Sequence, residues 1–264
     1  MRIGVYQMKT SDSISANYAN ITCAVEAAAR QQVRLLVFPE CALSGYPPVE
    51  TPSVDGIDMD AVDACLSGLT KLAKQYDMVI AVGTVRKEGR CYNSVVVIGP
   101  DGILGAYDKR ALWGWDSENF EAGTSDGIFD INGIKTAFRI CYEVRFPEFF
   151  REAFRAHAEL CFVCFCDVCH EKLPARYELL KAHLATRACE NIMTVISVNS
   201  VSQYQTAPTA VFSEEGIVQC EAPQDIEHLL VYDYEKPAEQ GFGTKGRRIW
   251  AEKLGGLAMP AGET

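Results

Sequence analysis

Short apolar runs alternate with amphipathic ones along the whole chain. Residues 2–7, 34–38, 78–85, 94–98 and 103–107 predict strands. Residues 11–32 and 58–75 carry helical spacing. The first is an Ala-rich stripe with Asn20, Gln31 and Gln32 outward. The second places Met59, Val62, Cys65, Leu66, Leu69 and Leu72 on one face. Pro100-Asp101-Gly102 predicts the turn of a hairpin. In the second half, 127–130 and 134–141 predict strands paired about Asn132-Gly133, a strong hairpin signal. Residues 147–157 suit a short helix and 160–166 a buried strand. Residues 174–190 predict a helix with proline at its first position. Strands follow at 192–198, 210–212, 217–220 and 229–232. From Gly241 the pattern lapses, which predicts an irregular tail over about 241–264.

Hairpins mixed with helical crossovers predict an α/β chain whose sheets are not purely parallel. No low-complexity linker or solenoid-length repeat interrupts it, so a single domain over 1–264 is the simplest organisation. Its 264 residues are ample for a packed core. The net charge of −10 argues against nucleic-acid or anionic-membrane partners. No run approaches the roughly 20 apolar residues of a membrane helix, and the first residues start like a strand rather than an export signal. The 11 cysteines therefore read as thiols of a reducing cytoplasm.

Three segments carry candidate chemistry. In Phe38-Pro39-Glu40 a carboxylate follows a buried strand, where partial desolvation can make it a base. At Tyr107-Asp108-Lys109-Arg110 a strand ends in a lysine that can hold an oxyanion. At Ile140-Cys141-Tyr142-Glu143 an apolar strand turns into a helix at a cysteine, the layout of a nucleophile elbow with a thiol. Singly, each also reads as an ordinary loop charge or a packed thiol.

Together the three segments resemble the nitrilase superfamily of carbon–nitrogen hydrolases, over nearly the whole chain. Ser44-Gly45-Tyr46, Phe120-Glu121-Ala122-Gly123 and Thr186-Arg187-Ala188-Cys189-Glu190-Asn191 support the resemblance. It implies a four-layer α-β-β-α sandwich of two mixed sheets and a homodimer or larger assembly, with no metal or organic cofactor. Glu40, Lys109 and Cys141 would be the catalytic set. A further catalytic glutamate would lie just before the Phe120 segment; Glu118 fits that place best and Asp116 second. Glu40 would deprotonate Cys141, with Lys109 lowering the thiol pKa. Lys109 and the Tyr142 amide would hold the oxyanion. The run Arg145-Phe146-Pro147-Glu148 is similar to the omega-amidase branch, which implies a small amide bearing a carboxylate. N-carbamoyl or nitrile hydrolysis, or a non-catalytic ligand-binding relative, are the alternatives.

Two departures bear on the substrate. Cys166 and Asp167 stand where relatives line the pocket with a proline–small–aromatic segment. Arg139 lies two residues before Cys141, on the same face if the strand continues, and could meet a substrate carboxylate or Glu143. Two other patterns carry less. Cys161, Cys164, Cys166, Cys169 and His170 have zinc-like spacing, but strand geometry sends Cys161 and Cys164 to opposite faces. Gly241-Phe242-Gly243-Thr244-Lys245-Gly246 has dinucleotide-loop spacing but lacks a preceding strand and a following helix.

Overall fold

The computed structural model describes residues 1–236 and 241–255. In chain order the elements of the first half are β1 (Arg2–Gln7), α1 (Ile14–Arg30), β2 (Leu35–Val37), α2 (Met59–Tyr76), β3 (Val79–Glu88), β4 (Arg90–Gly99), β5 (Gly102–Asp108) and α3 (Trp115–Asn119). They continue with β6 (Ile128–Ile131), β7 (Ile134–Ile140), a 3-10 turn (Cys141–Arg145), α4 (Pro147–Arg155), β8 (Leu160–Phe165), β9 (Val168–Cys169) and α5 (Pro174–Asn191). The last are β10 (Thr194–Asn199), β11 (Tyr204–Gln205), β12 (Ala210–Phe212), β13 (Val218–Glu221), β14 (His228–Asp233) and α6 (Phe242–Gly255).

Local chemistry sets the boundaries. The Ser13 and Asp58 side chains accept from the amides of Ala16 and Ala61, so α1 and α2 start after those caps. Asn132 and Gly133 both take positive φ, as a two-residue hairpin loop requires. Ile192 does the same at the end of α5, so β10 starts at Thr194 rather than at 192.

Two six-stranded mixed sheets stack face to face, in the orders β14-β1-β2-β3-β4-β5 and β13-β12-β10-β8-β7-β6. The period of two along each strand splits its side chains between layers. Leu36 of β2 packs with α1 and α2, whereas Leu35 and Val37 face the other sheet. In β8, Leu160, Phe162 and Cys164 point between the sheets, and Cys161, Val163 and Phe165 point toward α4 and α5. Cys161 and Cys164 thus lie in different cores. Phe138 and Phe162 stack at 5.5 Å in the middle layer. This is the four-layer α-β-β-α architecture.

The expected irregular tail is instead helical over Phe242–Gly255; residues 256–264 lie outside the described set. Gly243 and Gly246 weaken the helical signal in sequence, but α6 packs on α5, burying Thr244 and Ala251. Arg247 pairs with Glu215 at 2.8 Å, and Thr244 also bonds Glu215. No described helix is long and apolar enough to cross a membrane.

Candidate active site

Four strands end at one edge of the sandwich, and each hands a functional group to it. Glu40 is the third residue after β2; Lys109, Cys141 and Cys166 directly follow β5, β7 and β8. Edges of this kind are where α/β sheets bind ligands. The chain near Glu40 lies against β3 so closely that a Cβ on Gly83 would sit 2.0 Å from the Pro39 carbonyl oxygen. Gly123 admits the Lys109 loop in the same way: its Cβ would meet the Asp108 carbonyl oxygen at 2.2 Å.

Glu40 and Lys109 are buried, 1% and 3% exposed. The Glu40 Oε1 accepts from Lys109 Nζ at 2.9 Å and Asn93 Nδ2 at 2.7 Å, and its Oε2 accepts from the Cys166 amide at 2.9 Å. Burial pushes the Glu40 pKa up, only partly opposed by the Lys109 charge. Burial alone would lower Lys109, yet Glu40, Cys141 and Asp116 hold its ammonium well above its ordinary range.

The second carboxylate on Lys109 is Asp116, not the expected Glu118. Asp116 is 4% exposed, accepts from Lys109 Nζ at 2.6 Å and receives the Tyr46 hydroxyl at 2.6 Å. Glu118 is exposed. The reason is helical phase. Asp116 in α3 and buried Phe120, the residue that caps its C-terminus, stand one turn apart, and the Phe120 amide donates to the Asp116 carbonyl at 2.9 Å. Glu118, midway between them, points outward. The burial of Phe120 in sequence was the available signal.

Cys141 opens the 3-10 turn with φ +45°, a left-handed conformation costing a non-glycine residue about 1–3 kcal/mol. The thiol is pushed well above its usual pKa, first by burial and then by Glu40. Lys109 pulls it down, as expected, against these larger upward effects. The left-handed turn takes Cys141 out of the strand alternation and so off the face of Arg139, which keeps the helix side of β7 in register with Val163. Its guanidinium is fully buried, donating to the carbonyls of Phe149, Asp126 and Phe138 and to Glu152. It meets neither Glu143 nor an open pocket.

Glu143 is the residue sequence reasoning missed. It is fully buried; Oε1 accepts from the Tyr107 hydroxyl and the amides of Arg110 and Ala111, and Oε2 from the Ile140 amide. It therefore ties the residue after Lys109 to the residue before Cys141. Nothing in a single sequence marks a glutamate two past a nucleophile as a clamp.

The other expected contacts divide. The Tyr142 ring packs edge-on against Phe146 at 5.1 Å. Cys166 gives its amide to Glu40, and its thiol lies 3.8 Å from Glu50 Oε1. Asp167 is buried and occupied by Arg176, at 2.9 and 2.6 Å, and by the Thr206 hydroxyl. A cavity of about 480 Å³, lined by Lys135, Glu159 and Thr194 among others, lies at the opposite ends of the strands and contains none of these groups.

A family model described as carbon-nitrogen hydrolase matches residues 2–238. The chain is 31% identical over 170 residues to the 2-oxoglutaramate amidase of Bacillus subtilis, a match covering 62% of each chain. It is 28% identical over 207 residues to an (R)-stereoselective amidase of Pseudomonas sp., covering 76% of this chain and 71% of that one. The NitN amidase of Nesterenkonia sp. AN1 has the same fold, with a TM-score of 0.78 at 22% identity over 96% of this chain and 99% of that one.

Proposed function

Since the chain belongs to the carbon–nitrogen hydrolase family, acting on non-peptide C–N bonds, we propose that it cleaves the carboxamide of a small amide through a Cys141 thioester, releasing ammonia. The observation that carries this is the buried Glu40–Lys109–Asp116 network, whose charges act on the Cys141 thiol. Glu40 takes the thiol proton as sulfur attacks the carbonyl carbon. Lys109 and the Tyr142 amide stabilise the oxyanion. Collapse breaks the C–N bond, and Glu40 returns its proton to the leaving ammonia. Water then attacks the thioester with Glu40 again as base, and the released thiol regains its proton. Asp116 stays on Lys109 and holds its charge while Glu40 carries the proton.

Asp116 is the positioning group for Lys109 in this scheme, and Asp167, saturated by Arg176 and Thr206, is not a substrate ligand. The name of the Bacillus subtilis relative supports a carboxylate-bearing amide; that of the Pseudomonas relative supports an amide without specifying a carboxylate. The test is ammonia release across primary amides, N-carbamoyl amino acids and nitriles, with acid-quench mass spectrometry. Amides are expected to turn over and to leave one acyl group on the peptide containing Cys141. Cys141→Ala should lose both signals. Full activity in Cys141→Ala would refute the scheme.

A further inference from the structure

The charges around the candidate site bear on which amide it takes, given the amidohydrolase reading above. A substrate carboxylate needs an uncommitted cation, and the nearby cations are committed. Lys109 is shared between Glu40 and Asp116. Arg176 is bidentate on Asp167. Arg139 is spent on three backbone carbonyls and Glu152. The Arg145 guanidinium is engaged over the Tyr142 ring, 5.9 Å from its centroid.

The acidic side has a surplus. Glu50 Oε1 accepts from the Thr10 hydroxyl at 2.7 Å and lies 3.8 Å from the Cys166 thiol; its Oε2 accepts from the Tyr46 amide at 2.7 Å. All three donors are neutral, and no cation among the described residues pairs with Glu50. Cys166 thus contacts both carboxylates, its amide on Glu40 and its thiol against Glu50. Lys109 facing two carboxylates leaves a further negative charge. In a partly desolvated site such a surplus acts on any charged substrate end.

We infer that the site selects by charge: it takes amides whose acyl chain is uncharged or ends in an amine, disfavours those ending in a carboxylate, and uses Glu50 as the specificity-determining residue. The test compares kcat/KM for butanamide, 4-aminobutanamide and succinamate, which share chain length and differ in terminal charge. Succinamate should fall below butanamide by about tenfold or more, and 4-aminobutanamide should equal or exceed butanamide. Glu50→Gln should shrink the butanamide-to-succinamate ratio at least threefold, through KM. Succinamate equal to or better than butanamide would overturn the inference, as would an unchanged ratio in a folded Glu50→Gln. Glu50 also caps its own turn, so that variant can fail to fold. The wild-type salt dependence then decides: added salt should raise kcat/KM for succinamate and leave butanamide flat, and equal responses would overturn the inference. Failure of the amidohydrolase reading looks different, as no amide would turn over at all.

Discussion

Glu40 and Glu143 are equally buried, but Glu40 faces an ammonium and Glu143 faces only neutral donors. A carboxylate has about four acceptor positions. Glu143 fills its own with a hydroxyl and three backbone amides. Glu40 takes three bonds, and its Oε2 receives only the Cys166 amide. That oxygen has room for a proton, and burial makes the proton welcome. Saturation makes a carboxylate a fastener, whereas incomplete saturation beside a cation leaves it able to trade protons. Both stand within a few residues of a strand end, so position alone does not assign the role.

The sharpest way to break this contrast is paired substitution. Glu40→Gln should lower kcat by about 10²–10⁴-fold, the usual worth of a general base, with the fold intact by circular dichroism. Glu143→Gln replaces an acceptor oxygen with an NH₂ facing backbone amides. It should cost about 1–3 kcal/mol in urea unfolding while leaving the pH profile of residual activity unshifted. Equal effects of the two on kcat at equal stability would erase the distinction. Next in size, Asp116→Asn should lower kcat/KM by about tenfold to a hundredfold through the orientation of Lys109, and Glu118→Gln should stay within about twofold.

The smallest effect is a stability change with pH. Burial raises the thiols of Cys41, Cys161, Cys164 and Cys166 above the ordinary 9.0 of a cysteine, Cys161 to about 12. The unfolded chain therefore releases these protons first. Their contribution is fully present below about pH 9 and is lost as pH rises toward the folded values. Urea midpoints should fall from pH 8.5 to 10.5, and a flat profile would contradict the burial of these groups. The same sign logic gives kcat/KM an acid limb above the ordinary 4.5 of a glutamate, since Glu40 must be ionised to act as base.

Much of this was legible before any coordinates. The Asn132-Gly133 hairpin and the strand ends at Glu40, Lys109 and Cys141 are local signals, and local signals survive in sequence. What failed was non-local or broke a period. Arg139 keeps its strand face, but Cys141 turns left-handed and no longer shares it. Glu118 yielded to Asp116 because five residues of helix set a phase that only Phe120 revealed. The helix at 242–255 exists through packing on α5, which no propensity in its glycine-rich start announces.

The hydrogen bond from the Cys166 amide to Glu40 joins the ends of β8 and β2, which belong to different sheets. The spacing between Glu40 and Cys141 is therefore inherited from how the two sheets stack, and the Phe138–Phe162 pair acts as a shim between them. The middle layer is thus a ruler as well as a core. A drift of packing there, tolerable to stability, is read at the sandwich's edge as a changed gap between those two groups, so the sequence is constrained at residues outside the candidate site.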